Sequence, residues 1–162
     1  MSLSGGKKGF EAFAKAIRKK ESGGNYQIVN SYGYLGAYQF GLARLCDLGY
    51  TERKPGSTGY SNSAFQWKRG YSRSWFLNNP SVQDRIFKAH ANDLIKRIKR
   101  GFSQYFGKQI GGIEITLSGC VAFSHLAGVG GLGKFLRGLG DSSDAFGTKG
   151  SDYMKKFADY SL

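Results

Sequence analysis

The chain has 162 residues, long enough for one domain with a sizeable core, and 24 Lys and Arg against 11 Asp and Glu give it a net charge of +13. The start, MSLSGGKKGF, lacks the apolar stretch of a secretory leader, and no continuous apolar run reaches the ~20 residues of a membrane span. A positive field this strong points to a polyanionic partner, and nucleic acid, anionic lipid and the bacterial cell wall all fit.

Residues 1–7 read as a flexible lead-in or vector-derived residues, and residues 8–162 as the folded domain. Residues 8–21 are expected to form a helix, with Phe10, Phe13, Ala14 and Ile17 on one stripe and Gly23 and Gly24 as its stop. Residues 25–38 are rich in Tyr, Asn, Ser and Gly and read as loop or short hairpin. A second helix is expected over 39–48, closed by Gly49. Residues 50–74 form a long polar segment, with Phe65 and Trp67 to pin it down. The longest helix follows over about 81–100, with Ser81 as N-cap. Thr116 to Leu126 reads as a helix buried nearly all round. GVGGLGKFLRGLG then reads as a glycine-spaced turn and short helix, and Ser151 to Tyr160 as a last amphipathic helix. Cys46 and Cys120 fall in apolar helical contexts and read as buried free thiols. The expected class is one mainly α domain with a loop-rich face.

The stretch AIRKKESGGNYQIVNSYGYLGAYQFG carries the functional signal. A run of helix formers delivers a single acid, Glu21, to the edge of a loop holding Tyr26, Tyr32, Tyr34 and Tyr38. Cleaving a glycosidic bond needs a proton for a poor leaving oxygen, from a carboxyl that stays protonated near neutral pH in a partly desolvated site. The tyrosines suit stacking on sugar rings, and the glycines allow the backbone to approach a bulky polymer. The plainer reading is an exposed helix-end acid with tyrosines that only pack.

ESGGNY followed by NSYGYLGAYQFG resembles the catalytic region of the goose-type lysozyme and soluble lytic transglycosylase superfamily. The matching elements are Glu21-Ser22 at a helix end and Gly36-Ala37-Tyr38-Gln39, which in that superfamily opens the next helix. A third family element, Ala-Tyr-Asn-x-Gly, has its nearest counterpart in Ala122 to Gly128. Phe123 replaces the Tyr there, Ser124 stands at the Asn position, and His125 is the substitute for the sugar contact. His125 is equally read as a satisfied histidine of an apolar helix. A fourth element, a late Tyr facing the acid, corresponds to Tyr153. The resemblance implies a lysozyme-like α (α+β) domain with a loop-rich substrate cleft, with Glu21 as catalytic acid and base. It also implies substrate contacts from Ser22, Tyr26, Gly36, Tyr38, Gln39, Ser124, His125 and Tyr153, and neither metal nor cofactor.

The resembled superfamily works with one Glu, and its transglycosylase branch uses the sugar's own hydroxyl as nucleophile, whereas its lysozyme branch uses water. In this chain Asp47 and Glu52 follow Glu21 most closely among acids, and Glu114, Asp141, Asp144 and Asp152 fall where helix starts or turns explain them. The expected partners are peptidoglycan strands and anionic wall polymers, in the periplasm or at the cell wall. A phage lysin, a secretion-system effector and an excised domain all fit that delivery. Two other readings stand beside this one. A basic nucleic-acid-binding domain fits the charge and an aromatic content of 15%, although no helix-turn-helix, zinc spacing or RNA-recognition motif is present. A non-catalytic wall-binding domain fits the same partners.

Overall fold

The computed structural model describes residues 8–162; the expected lead-in at 1–7 lies outside the described residues. The chain is mainly α, with six α-helices and two small two-stranded sheets among the described residues. It divides into two compact units. One is Lys15–His90, and the other joins residues 8–14 to Ala91–Leu162. Helices α1 (Phe10–Ser22) and α4 (Pro80–Phe102) each contribute residues to both.

In the Lys15–His90 unit, α1 ends where Gly23 N–H donates to Lys19 O at 3.0 Å and Gly24 N–H to Arg18 O at 3.1 Å. The loop that follows is organised by asparagines: Asn25 Oδ1 accepts from Gln27 N–H, and Asn30 Oδ1 accepts from the N–H groups of Tyr32 and Tyr34. Such side chains replace the backbone partners that a loop lacks. Leu35 bridges to both Val29 and Phe40, which folds Gly36–Gln39 into a tight four-residue turn. The predicted helix over 39–48 therefore starts later, at Leu42, and α2 is Leu42–Asp47. Gln39 cannot begin it, because its φ of 57° lies in the left-handed region.

The long polar segment is ordered by pairing. Strand β1 (Thr51–Arg53) runs antiparallel to β2 (Phe65–Trp67), with Thr51 opposite Trp67 and Arg53 opposite Phe65. Ser57 Oγ donates to Lys54 O and Ala64 O, closing the loop between the strands. Helix α3 (Arg73–Leu77) follows, capped by Ser72 Oγ, which accepts from Trp75 N–H at 3.0 Å. Helix α4 begins at Pro80 rather than at a Ser81 cap. Proline suits a first helical position because its missing N–H would have no partner there anyway.

In the other unit, β3 (Gln109–Ile110) and β4 (Ile113–Glu114) form a hairpin across Gly111-Gly112. Both glycines have positive φ, 58° and 77°, as a two-residue turn of this hand requires. Glu114, expected near a helix start, is instead a strand residue. Helix α5 (Leu117–Leu136) is capped by Thr116, whose Oγ1 accepts from Gly119 N–H, and is interrupted by non-helical Gly128. Helix α6 (Gly150–Lys156) packs on α5 so closely that a Cβ at Gly150 would come within 2.4 Å of the Phe123 ring. Phe13, Phe157 and Tyr160 stack edge-on beside it. Among the described residues α5 alone is long and apolar enough to cross a membrane, and about half of it is buried inside the structure. Serines, His125 and glycines break its apolar run in the sequence. Half-buried, it serves as a core helix of its unit.

Candidate functional site

The Lys15–His90 unit brings together Glu21, Ser22, Tyr26, Gly36, Tyr38 and Gln39. Glu21 is the penultimate residue of α1 and is part-buried. It stands four residues beyond Ile17 and eight beyond Phe13, both fully buried, so it continues the apolar stripe of the helix. Ser22 is next to it and points at the turn. Its hydroxyl donates to Ala37 O at 2.9 Å, and also reaches Arg18 O at 3.1 Å. Ala37 N–H donates to Gln83 Oε1 at 2.9 Å. Both polar groups of the turn's central residue are thus held by side chains, one from the Glu-Ser pair and one from α4.

Gln83 has no solvent exposure and spends its amide fully. While Oε1 accepts from Ala37, Nε2 donates to Tyr26 O at 2.9 Å and to Phe76 O at 2.8 Å. The turn approaches so closely that a Cβ on Gly36 would lie 2.2 Å from Gln83 Oε1. With a φ of 75° in addition, only glycine fits position 36. Gln39 Nε2 donates back to Gly36 O at 3.0 Å, which tightens the same turn.

Tyr38 differs from expectation. Its side chain is buried, with its ring stacked on Phe87 at a centroid distance of 4.2 Å and an interplanar angle of 5°, so it offers no face to a sugar. Its hydroxyl accepts from Arg18 Nη1 at 2.7 Å and donates to Asp84 Oδ1 at 2.6 Å. Tyr26 O–H donates to the same carboxylate oxygen at 2.8 Å, and Arg18 lies 3.6 Å from it. The Arg18 guanidinium also covers the Tyr26 and Tyr38 rings at 5.9 and 5.6 Å. Burial, then the hydrogen bond to Asp84, pushes the Tyr38 hydroxyl well above the usual tyrosine range, and the same two causes raise Tyr26. Both phenols stay neutral donors to Asp84. This network braces α1 against the turn and α4, and Gly36 and Tyr38 are both buried within it. Exposed aromatic faces in this loop belong to Tyr32 and Tyr34.

Asp84 was missed by sequence reasoning. It is separated from Tyr26 and Tyr38 by 58 and 46 residues, and no local pattern links them. Tyr50, Tyr71 and Trp75 were missed as well. Their rings form one cluster with centroids 4.8 to 6.1 Å apart, and Tyr71 is exposed. Lys68, Arg69 and Arg73 flank these aromatics in the sequence.

Ser124, His125 and Tyr153 belong to the other unit. Ser124 and His125 lie on α5, the first buried and the second part-exposed. Among the described residues Ser124 Oγ is the one buried side-chain polar atom without a hydrogen-bond partner. A buried hydroxyl in that state costs ~1–3 kcal/mol. Tyr153 is buried on α6, with its ring against Phe157 at 5.4 Å. Of the other acids, Asp141 accepts from Ser151 N–H and Oγ at the start of α6, Asp144 accepts from Phe146 and Thr148 N–H in a turn, and Asp47 pairs with Arg44 at 3.4 Å. Both cysteines are free; Cys46 is part-exposed rather than buried, and burial pushes the Cys120 thiol up to about 12. No group of three or more His, Cys, Asp or Glu among the described residues could hold a metal ion.

Compared with known proteins, the chain matches no family model, no curated protein and no solved structure.

Proposed function

We propose that this protein cleaves β-1,4 glycosidic bonds of bacterial cell-wall peptidoglycan, as a lysozyme-like enzyme of the goose-type lysozyme and soluble lytic transglycosylase kind. Glu21 is its single acid and base. The observation that carries the reading is the hydrogen bond from Ser22 Oγ to Ala37 O. It joins the two sequence elements on which the resemblance rests, Glu21-Ser22 and Gly36–Gln39, and so supports an acid held at an anchored helix end rather than at a loose one. A preorganised acid is what proton delivery to a leaving oxygen requires.

In the reaction the Glu21 carboxyl gives its proton to the bridging oxygen as the glycosidic bond breaks. The resulting carboxylate then takes a proton from the attacking hydroxyl. That hydroxyl is either the sugar's own, which leaves an anhydro product, or water, which leaves a reducing end. The +13 charge favours residence on anionic wall polymers, and the site of action is the periplasm or the cell wall.

The test is mass spectrometry of fragments released from purified peptidoglycan. Wild type should release them, and Glu21→Gln, folded to the same extent, should not. Anhydro ends mark the transglycosylase branch and reducing ends the lysozyme branch. Equal release by Glu21→Gln removes Glu21 from the chemistry. No release by either protein leaves the wall-binding or nucleic-acid-binding reading, and salt-dependent binding to walls or to single-stranded DNA decides between those.

A further inference from the structure

Beside the turn, the Lys15–His90 unit holds an open pocket of about 460 Å³, lined by Gln27, Arg73, Ser74, Leu77 and Asn78. This is the size that takes a small ligand. Its amides are fixed by one another. Gln27 Nε2 donates to Asn78 Oδ1 at 3.2 Å, and Asn78 Nδ2 donates to Ser74 O at 2.9 Å. Arg73 differs from the other cations of this unit that the structure pairs. Arg18 has Asp84 and two rings, Arg44 has Asp47 and His90, and Arg53 lies over Phe65. Arg73 is exposed, makes no hydrogen bond, ion pair or ring contact with any described residue, and lines a pocket already supplied with fixed polar walls and one apolar side chain, Leu77.

We propose that this pocket binds a carboxylate-bearing peptide, with the carboxylate on Arg73 and an aliphatic portion on Leu77. A planar guanidinium recognises a carboxylate through two parallel hydrogen bonds, and the amides of Gln27 and Asn78 suit a peptide backbone beside it. Gln83 sets the walls from behind. Its Nε2 holds Tyr26 O, one residue before Gln27, and Phe76 O, one residue before Leu77. Its Oε1 holds the turn next to Ser22. One buried side chain therefore fixes both the pocket and the Glu21 turn. The inference rests on the peptidoglycan reading and deepens it: glycan strands carry short peptides with free carboxylates, and the pocket makes peptide-bearing strands the preferred substrate over bare ones.

The test titrates the tripeptide alanyl-γ-glutamyl-lysine and its carboxyl-amidated form into the protein, following backbone amide signals of Gln27, Ser74 and Asn78 by NMR. The acid should bind saturably and at least about fivefold more tightly than the amide. Arg73→Ala should abolish that difference, and Arg73→Lys should restore part of it. In parallel, wild-type preference for peptide-bearing over peptide-stripped glycan should collapse in Arg73→Ala. Absence of saturable shifts, equal binding of acid and amide, or a difference that survives Arg73→Ala overturns the pocket assignment. Tripeptide binding without cleavage of either glycan keeps the pocket and overturns the glycosidase reading.

Discussion

Replacing Gln83 by leucine keeps the side-chain volume and removes both ends of the amide. Ala37 N–H and Tyr26 O lose their side-chain partner, while Phe76 O keeps the backbone N–H of Asn79 at 3.3 Å. A buried backbone group left unsatisfied costs ~1–3 kcal/mol, and Tyr26 is exposed enough to recover water. With Ala37 N–H the one group left without a partner, the expected loss is about 1–3 kcal/mol, a sizeable part of the ~5–15 kcal/mol that holds a typical domain. Both tryptophans, Trp67 and Trp75, lie in the unit that holds Gln83, so urea unfolding followed by their fluorescence reports on this change directly. Wall cleavage should fall further than the folded fraction, because the turn that Ser22 grips is no longer held on its other side. A Gly36→Ala and Gln83→Ala cycle checks the same contact. Gly36→Ala alone should be severe, given the 2.2 Å approach to Gln83 Oε1, and the double variant should lose clearly less than the sum. A loss below ~1 kcal/mol for Gln83→Leu, or strict additivity in the cycle, would refute the view that this amide organises the site.

The raised Tyr38 and Tyr26 hydroxyls give a signed pH effect. The folded state holds their protons more tightly than the unfolded chain, so stability is intact below about pH 10 and falls as pH rises beyond it, by up to ~1.4 kcal/mol per pH unit for each tyrosine that keeps its proton; Tyr38→Phe should flatten that decline in alkaline unfolding curves, and an unchanged slope counts against the network. Ser124→Ala removes a buried hydroxyl with no partner and should raise the thermal midpoint by a few degrees, whereas a drop of several degrees shows that the hydroxyl is satisfied in solution. Neutralising Lys96, Arg97, Lys99 and Arg100 at the end of α4 should weaken wall adsorption and its salt dependence while sparing a short soluble glycan. Arg97 already shares its charge with Asp93 at 3.7 Å, and unchanged adsorption means the cluster is an ordinary solvated face.

What could be read in the sequence was what local pattern controls. The stripe of α1 and the amphipathic α4 follow from periodicity over adjacent turns, and their ends shifted by only a few residues; the helix after Thr116 was also legible, but it continues past the non-helical Gly128 to Leu136, ten residues beyond the expected end. The β3–β4 hairpin had a local signal that passed unused, two glycines between Ile110 and Ile113. The β1–β2 pair had none, because its strands are three residues each and their register depends on a partner about fifteen residues away. Tyr38 was the instructive case. A sequence shows a tyrosine in a glycine-rich loop without saying which way it turns. The structure spends its ring on Phe87 and its hydroxyl on Asp84, 46 residues along the chain.

The arrangement of α1 explains why the acid and its support are neighbours. Arg18 and Ser22 are four apart and share one face, and both bond to the 36–39 turn, Arg18 through Tyr38 O–H and Ser22 through Ala37 O. Phe13, Ile17 and Glu21 share the adjacent face, and the first two are fully buried. Glu21 therefore lies where the apolar stripe runs out and next to the face that is clamped. Its side chain is part-buried at that position, and the residue after it, Ser22, is anchored to Ala37 O. On the proposed reading Glu-Ser acts as one unit, in which the serine holds and the glutamate does the chemistry. Ser22→Ala tests that division of labour. It removes one hydrogen bond, costs about 1 kcal/mol of stability, and should lower cleavage far more than that loss accounts for, while Ser22→Thr retains the hydroxyl and recovers much of the activity. If Ser22→Ala cleaves like wild type, the clamp is structural only, and Glu21 does not need the turn.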